Sequence, residues 1–382
     1  MKTKYKVADV INLRVNELDN ICSNSWQTRT LHAIRKCRTA ELGGHIDKCD
    51  NCGKINISYN SCRNRHCPTC QGHKVELWTQ ARLKELLPVK YFHVVFTIPS
   101  TLNTIALKEA KIVYSILFKS AWETLSQFGN NPKHLGAKMG MVAVLHTWGQ
   151  NLQLHPHLHC IVPGGGVTVS GKWKNSKNKG KFLFHVKSMS KVFRAKFVTH
   201  LRKNLPDLKQ SLFDKLFENE WVVFAKRPFI RPETVVEYLA RYTHKIAISN
   251  HRILDIDKEN NKVTIRLKDY KKQGKKTTLT LDVNEFIKRF SLHILPKRFT
   301  KIRHYGFLSS SWKKEKLRNL QKTFDNFKEE IAQSSTEIKL NKCRCCGVGN
   351  LTPIAGIGKR GPPLMYIIQA QIKPYFPENL IY

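Results

Sequence analysis

The sequence lacks the segments that would place a protein in or across a membrane. None of its apolar runs approaches the roughly 18 residues that a membrane-spanning helix needs. Its first residues, Met1-Lys2-Thr3-Lys4, do not lead into the apolar core of a signal peptide. With 382 residues and 41% hydrophobic residues, the chain has a globular composition. We therefore expect a soluble, intracellular protein of two or three domains with no membrane partner.

Acidic residues are scarce as well. The chain has 28 Asp and Glu against 66 Lys and Arg, which gives a formal net charge of +38, spread along its length. Such an excess of positive charge attracts polyanions. It predicts nucleic acid as the partner, although a merely basic or ribosome-associated protein has the same excess.

The eleven cysteines lack the arrangement of a secreted disulfide framework. Several fall in C-x-x-C pairs, which in an intracellular protein are typical of metal binding. The stretch KCDNCGKINISYNSCRNRHCPTCQ contains two such pairs separated by fourteen residues, Cys49 with Cys52 and Cys67 with Cys70. Each pair supplies two thiolates from one tight turn, so the four predict one tetrahedral structural Zn²⁺ site.

Neighbouring residues offer alternative ligands for this site. Cys62 and His66 lie between the two pairs and can replace one of the four cysteines. Cys37 and His45 lie just before the pairs and can serve a second ion. For Cys37, a small buried thiol is the preferred interpretation.

A second cysteine-rich stretch, KCRCCGVG, contains Cys343, Cys345 and Cys346. It supplies only half of a zinc site, and the sequence does not show the other half. Arg63 and Arg65 lie beside the metal turns of the first stretch, where they suit contacts with DNA phosphates.

Hydrophobic periodicity predicts a mixture of helices and strands. Helices are expected over residues 1–36, 74–88, 102–129, 231–247 and 283–295, and strands over 90–100, 138–148 and 156–166 and within 252–282. The second and third strands are joined by a short connection, so we expect them to form an antiparallel pair.

The third strand contains the stretch LHPHLHCIV. Because side chains alternate along a strand, His157 and His159 point to one face and Leu158 to the other. Pro156 cannot donate to a ladder, and we expect it to mark the start of the strand. Two imidazoles on one face can share a cation, but a polar rim at the strand entrance explains the pair equally well.

Two tyrosines lie four residues apart on the predicted helix 231–247. Tyr238 and Tyr242 therefore share a helix face, and taken alone the pair is better explained as packing against the core. A phenol with a pKa of about 10 is a weak nucleophile, so it needs help. A nearby cation that polarises a phosphate supplies that help, which links the tyrosines to the histidines.

Three stretches together resemble the two-tyrosine rolling-circle transposases of the IS91 type, which belong to the HUH endonuclease superfamily. They are YNSCRNRHCPTCQ (59–71), VLHTWGQNLQLHPHLHCIVPGGG (144–166) with its His-hydrophobic-His signature, and EYLARYTHKIAIS (237–249). Their order along the chain agrees with that family. The resemblance extends over roughly residues 30–320.

The resemblance implies an α+β fold. We expect an HUH-type nuclease domain with a central antiparallel sheet and flanking helices, plus a small N-terminal zinc-binding domain. The corresponding division of the chain is an N-terminal helix with a zinc- and DNA-binding domain (1–89), a catalytic domain (90–250), a basic β-hairpin and helical part (251–340) and a Cys-containing tail (341–382).

The resemblance also implies the reaction. A tyrosine attacks a phosphodiester of single-stranded DNA, keeps the 5′-phosphate and releases a 3′-hydroxyl, and the second tyrosine permits a further cleavage or exchange. Tyr238 and Tyr242 are the implied nucleophiles, and His157 and His159 hold Mg²⁺ or Mn²⁺.

A third ligand is expected shortly before the histidine pair. Gln150 is the preferred candidate, ahead of Asn151 and His155. His146, on the partner strand, is expected to pack or to orient a neighbour.

The implied partners are single-stranded DNA at the ends of the protein's own mobile element and target DNA, within a bacterial cytoplasm and its nucleoid. No credible nucleotide-binding loop is present, so strand displacement would need a separate helicase. Lys271 and Lys272 lie in a basic turn that suits a DNA clamp, although a solvated turn explains them equally well. Two alternatives stay open: a plasmid or phage replication initiator with the same chemistry, and a zinc-ribbon DNA-binding protein that is not an enzyme.

Overall fold

The computed structural model describes residues 3–177, 182–226, 229, 234, 246–269, 274–324 and 342–371. Four of the predicted site residues lie outside the described residues: Tyr238, Tyr242, Lys271 and Lys272. None of the described helices is both long enough and apolar enough to cross a membrane.

The described α-helices and strands have the following bounds. The helices are α1 (Val7–Asn12), α2 (Leu18–Ile21), α3 (Ser25–Arg35), α4 (Gly72–Leu83), α5 (Asn103–Lys108), α6 (Ala110–Asn130), α7 (Val186–Asn204), α8 (Gln210–Glu218), α9 (Val283–Ser291), α10 (Ser310–Trp312), α11 (Arg318–Lys322) and α12 (Leu364–Gln371). The strands are β1 (Gly44–Cys49), β2 (Ile55–Tyr59), β3 (Tyr91–Thr97), β4 (Gly140–Trp148), β5 (Leu154–Pro163), β6 (Gly165–Val167), β7 (Trp173–Asn175), β8 (Val223–Ala225), β9 (Ile253–Asp257), β10 (Lys262–Asp269), β11 (Lys275–Asp282), β12 (Ile302–Gly306) and β13 (Leu351–Ile357).

The chain divides into two compact units, each of which combines separate segments. A terminal unit draws on residues 1–76, 248–291 and 335–382, and a central unit draws on 77–247 and 292–334. This division differs from the four consecutive parts expected from the sequence. The difference arises because strands from both ends of the chain pair in one sheet of the terminal unit.

The central unit is built on a five-stranded antiparallel sheet with the order β12-β4-β5-β3-β8. One face of this sheet forms the main core. Its buried side chains include Val94, Ala143 and Cys160, which are direct neighbours on β3, β4 and β5. Apolar residues spaced four apart on α6 and α7 pack in the same cluster. The expected α+β fold with a central antiparallel sheet and flanking helices is confirmed.

The opposite face of the sheet is divided along the strands. Towards one end, Val142 and Ile161 pack in a second apolar cluster with Leu317 and Leu320. Towards the other end, the same face carries three histidines, His146, His157 and His159. The histidine-bearing end of this face is therefore the candidate functional site of the central sheet.

The terminal unit contains two small sheets. One has the order β11-β10-β9 and, with α9, packs near the N-terminal helices α1 and α2. The other has the order β13-β1-β2, with α12 against β2. The second sheet is mostly exposed or half-buried, so it has little hydrophobic core of its own.

Several predicted elements differ from the structure. The helical stretch expected over 1–36 is divided into α1, α2 and α3. The helix expected over 102–129 is interrupted at Glu109, whose φ of −114° and ψ of 43° lie outside the helical region. Strand β5 begins at Leu154, two residues before Pro156, which was expected to start it. The missing N–H of Pro156 is tolerated because the β4–β5 register shifts beside it and the β3–β5 ladder starts only at His157.

Candidate metal centres

Three histidines meet on the polar part of the central sheet. The register of the β4–β5 pair places His146 directly opposite His157, and His159 lies two residues further along the same face. The Nε2 atoms of His157 and His159 are 3.2 Å apart. The ligand atoms of all three side chains lie within 4.8 Å of one another, and we call them the histidine centre.

The second ring nitrogen of each β5 histidine has a defined partner. Nδ1 of His157 donates to the carbonyl oxygen of His155 at 2.6 Å. Nδ1 of His159 lies 2.8 Å from Nε2 of His93, on β3. When Nδ1 is the donor in both rings, which these contacts permit, the two Nε2 lone pairs face each other. Such a pair is favourable only when a cation or a shared proton lies between them.

The environment keeps the His157 and His93 imidazoles neutral. Burial lowers the pKa of His157 to about 4. Burial, together with the charge of Lys226, lowers the pKa of His93 to about 4. A neutral imidazole is the form that binds a metal ion, so the histidine centre fits a divalent cation at neutral pH.

His146 lies close enough to offer a third nitrogen, whereas the sequence predicted that it packs or orients a neighbour. The ring of Trp148 stacks on the His146 ring with centroids 4.4 Å apart, and this contact orients the imidazole. Gln150, the predicted third ligand, lies in the turn between β4 and β5. Its role as an oxygen donor stays a prediction. His155 contributes its backbone carbonyl to the orientation of His157.

The β4–β5 turn is held by His293, which sequence reasoning missed. Leu152, in this turn, has a positive φ of 61° and is fully buried. Nε2 of His293 donates to the Leu152 carbonyl at 3.0 Å, and Thr147 Oγ1 lies 3.2 Å from Nδ1 of the same ring. Burial lowers the pKa of His293 to about 4, so the ring is neutral in this role. The turn that connects the two histidine strands is thus fixed from inside the fold.

Eight cysteines form two clusters in the terminal unit. The first cysteine cluster contains Cys37, Cys62, Cys67 and Cys70, and the second cysteine cluster contains Cys49, Cys52, Cys343 and Cys346. In each cluster the four sulfur atoms lie within 4.8 Å of one another. Four thiolates at this spacing match the tetrahedral ligand set of a structural zinc site.

The prediction of one site from Cys49, Cys52, Cys67 and Cys70 is therefore wrong in its grouping. The structure divides the two C-x-x-C pairs between the clusters. Cys62, an alternative ligand in the sequence, lies in the first cluster, whereas His66 and His45 lie in neither. Cys37, for which the sequence favoured a buried thiol, also belongs to the first cluster.

Cys37 reaches the first cluster through contacts that only the fold provides. The backbone N–H of Arg38 donates to the Asn60 carbonyl at 3.1 Å, and the Arg38 guanidinium donates to the Tyr59 carbonyl at 2.8 Å. These bonds join the end of α3 to the end of β2, next to Cys62. The backbone N–H of Cys62 lies 3.4 Å from the Cys37 sulfur. Hydrogen bonding to Cys62 and Cys67 lowers the pKa of Cys37 to about 7, which favours a thiolate.

In the second cysteine cluster, Cys49 and Cys52 complete the site to which the KCRCCGVG stretch contributes only half. The Cys49 and Cys346 sulfurs are 3.8 Å apart, and so are those of Cys52 and Cys343. Backbone N–H groups of Gly349 and Val348 lower the pKa of Cys346 to about 6. Sequence reasoning missed this pairing because the two halves are 291 residues apart.

The predicted DNA-contacting arginines differ in exposure. Arg63 is exposed, has a positive φ of 53° and lies in the loop of the first cluster. Arg65 is half-buried, and its Nε donates to Nε2 of His66 at 3.2 Å. Burial lowers the pKa of Arg65. Arg63 is the better placed of the two for a phosphate contact.

Comparison with known proteins agrees with these centres. A family model described as "Transposase zinc-binding domain" matches residues 14–98, and one described as "Putative transposase" matches residues 140–316. The first range includes the whole first cysteine cluster. The second includes the histidine centre and the positions of Tyr238 and Tyr242. No solved structure matches the chain.

Two curated relatives cover most of the chain. "Putative transposase y4qJ" of Sinorhizobium fredii is 41% identical over 370 residues, which cover 88% of this chain and 91% of that protein. "Transposase for insertion sequence element IS801" of Pseudomonas savastanoi pv. phaseolicola is 26% identical over 307 residues, 74% of this chain and 70% of that protein. The α+β fold, the histidine centre and the cysteine-rich region thus define a DNA transposase with a zinc-binding domain. The chain belongs to the IS91-type transposase family.

Proposed function

We propose that this transposase cuts and rejoins single-stranded DNA, with Tyr238 and Tyr242 as the nucleophiles and the histidine centre as the site of Mg²⁺ or Mn²⁺. One observation carries the proposal. The Nε2 atoms of His157 and His159 face each other at 3.2 Å while both Nδ1 atoms are engaged elsewhere. A packing role for the two rings does not require this arrangement, whereas a shared cation does.

The donors of the histidine centre fit such a cation. His146, His157 and His159 would supply ring nitrogens, and Gln150 is the proposed oxygen donor. A mixture of imidazole and oxygen ligands is compatible with manganese. A divalent ion held there would polarise the scissile phosphate and stabilise the charge that develops on it.

The reaction exchanges one phosphoester for another. The phenol oxygen of a tyrosine forms a bond to phosphorus as the bond from phosphorus to the 3′ oxygen breaks. The phenol loses a proton, and the departing 3′ oxygen gains one. Since the number of phosphoester bonds does not change, the released 3′-hydroxyl can attack the phosphotyrosine and rejoin the strand without an external energy source. Two tyrosines allow one end to stay covalently bound while a second strand is cut.

The proposal also covers the zinc-binding region, the predicted DNA contacts and the partners. The first cysteine cluster would hold a structural Zn²⁺ and present Arg63 to phosphate, and Arg65, Lys271 and Lys272 stay proposed DNA contacts. The substrates would be the single-stranded ends of the protein's own element and target DNA. Strand displacement would fall to a separate helicase in the bacterial cytoplasm, at the nucleoid.

A covalent-adduct assay tests the proposal. Purified protein is incubated with Mn²⁺ and end-labelled single-stranded DNA that carries the element's own ends, and products are separated on a denaturing gel. We expect a protein–DNA adduct in the wild type, less of it in Tyr238→Phe and in Tyr242→Phe, and none in the double variant. Tyr366→Phe, on α12, removes a phenol elsewhere and should leave the adduct unchanged.

The outcomes separate the alternatives. Loss of the adduct in only one single variant would assign one nucleophile and an accessory role to the other tyrosine. DNA binding without any adduct, on ends shown to be correct, would contradict the enzymatic proposal and favour a non-catalytic zinc-ribbon protein. Nicking without transfer of the element's end to a target strand would favour a replication initiator.

A further inference from the structure

The second cysteine cluster is made of two segments with the same pattern. Cys49-Asp50-Asn51-Cys52-Gly53 and Cys343-Arg344-Cys345-Cys346-Gly347 both read C-x-x-C-G. The two terminal glycines have positive φ values of 68° and 72°. In each segment the glycine N–H donates to the carbonyl of the first cysteine, at 3.1 Å and 2.9 Å. The two segments thus adopt the same tight turn, which places two sulfurs side by side.

We propose that the second cysteine cluster holds a second structural Zn²⁺, which closes a zinc ribbon whose halves lie 291 residues apart. The spacing of the sulfurs supports zinc. Four sulfurs at about 2.3 Å from one Zn²⁺ lie roughly 3.8 Å from each other. Two of the four cross-segment sulfur distances, between Cys49 and Cys346 and between Cys52 and Cys343, are 3.8 Å each. A disulfide would bring two sulfurs to about 2.05 Å.

Backbone amides point at the sulfurs of this cluster. The N–H of Cys52 donates to the Cys49 sulfur at 3.5 Å, and the N–H of Cys345 donates to the Cys343 sulfur at 3.4 Å. Gly349 donates to the Cys346 sulfur at 3.3 Å. Such donors stabilise negative charge on sulfur, and thiolate is the form that binds zinc.

The two segments also fit each other closely outside the sulfurs. A Cβ atom on Gly349 would lie 2.4 Å from the Cys49 sulfur and 2.6 Å from the Cβ of Asn51, so only glycine permits this approach. Asn350 accepts from the Asp50 N–H at 3.1 Å and donates its own N–H to the Asp50 carboxylate at 2.8 Å. The β1–β13 ladder continues directly from this junction.

The proposed ion gives the C-terminal segment a structural role. The β13-β1-β2 sheet is mostly exposed or half-buried, so hydrophobic burial contributes little to it. A zinc ion that cross-links the tips of β1 and β13 would supply the missing stabilisation. The matched family range for the zinc-binding domain, 14–98, contains only one half of this ribbon.

Zinc counting by native mass spectrometry on the full-length protein tests the proposal. We expect two Zn²⁺ in the wild type and one in Cys343→Ser/Cys346→Ser. Cys62→Ser/Cys70→Ser should also retain one, held by the second cluster. Cys345→Ser is the matched control, because Cys345 is exposed, lies between two proposed ligands and belongs to neither cluster. It should retain two ions. Two ions in the Cys343→Ser/Cys346→Ser variant would overturn the proposal.

A second measurement uses the wild-type protein alone, so it does not depend on the folding of a variant. Wild-type protein loaded with zinc is treated with iodoacetamide, and each cysteine's labelling rate is read by peptide mass spectrometry. Cys345 should be labelled at least tenfold faster than Cys343 and Cys346, and a chelator should remove the difference. Equal rates in the zinc-loaded protein, or a Cys343–Cys52 disulfide under reducing conditions, would contradict a zinc site.

Discussion

The histidine centre and the second cysteine cluster are built in opposite ways. The three histidines lie between residues 146 and 159, on two strands of one hairpin, whereas the second cluster joins residues up to 297 apart. The sheet that carries the histidines has a fully packed core on its other face. The sheet that carries the cysteines has few buried side chains.

This difference indicates what each metal contributes. The hairpin that carries the histidines is held by the β3–β5 and β4–β5 ladders, by the Trp148 ring and by His293, so the fold of the hairpin does not depend on an ion. The cysteines lie where the protein has little apolar surface to bury, so an ion there contributes to folding itself. We therefore propose that a metal in the central unit would serve chemistry, whereas metals in the terminal unit would serve structure.

The largest effect should come from removing a structural ion. We expect Cys67→Ser to unfold the loop and strand region of residues 37–70, because structural zinc contributes about 10–16 kcal/mol of apparent binding free energy to small domains. Hydrogen exchange followed by mass spectrometry should show lost protection in that region and unchanged protection in β4 and β5. Cys345→Ser is the control. Loss of protection in the central sheet as well would contradict this contrast, because it would mean that folding of the central sheet also depends on the zinc ion.

Substitution of a histidine should lower activity strongly while leaving folding almost unchanged. His157→Ala should reduce adduct formation by about a thousandfold, since a polarising cation contributes several kcal/mol to the transition state. The zinc content and the melting temperature should change little, because the side chain lies at a half-buried position on a sheet that is packed from behind.

His155→Ala is the matched control for that substitution. It removes an exposed imidazole from the same strand but keeps the carbonyl that orients His157. If His157→Ala and His155→Ala lower the adduct equally, the histidine centre is not where the chemistry occurs.

His93 should have a smaller effect, on metal affinity. It does not belong to the histidine centre, but its Nε2 lies 2.8 Å from Nδ1 of His159. Loss of such an outer partner typically weakens metal binding by about 10–100-fold. We expect a weakening in that range for His93→Ala in a Mn²⁺ titration, with partial recovery in His93→Gln, whose amide can replace the hydrogen bond. No change in Mn²⁺ affinity would limit His93 to packing.

The smallest effect should come from Arg63. Arg63→Ala should weaken binding of single-stranded DNA a few-fold for every sequence, and should lower the slope of log affinity against log salt by about 1. Fluorescence anisotropy at several salt concentrations measures both. Arg63→Lys keeps the charge and should restore the slope. A sequence-dependent loss would mean that Arg63 contacts bases.

The sequence was most informative where function depends on local periodicity. The alternation in β5 placed His157 and His159 on one face, and the C-x-x-C spacing identified pairs of thiols that share a turn. Both follow from backbone geometry over a few residues.

Tertiary pairing could not be predicted in the same way. Which C-x-x-C pair meets which is decided by the β1–β13 ladder and by the bonds between Arg38 and the end of β2, and neither is encoded in spacing. For the same reason His146 was interpreted as packing, because only the β4–β5 register brings it opposite His157.

The discontinuous terminal unit has a consequence for synthesis. Chains are made at about 5–20 residues per second, so Cys343 follows Cys52 out of the ribosome after roughly 15–60 s. Throughout that interval β1 has no β13 to pair with, while every residue of the histidine centre has already been made. A product that stops before residue 343 would contain the β4–β5 hairpin but only one half of the proposed ribbon. The proposed ribbon would therefore form only in chains that extend beyond Cys346.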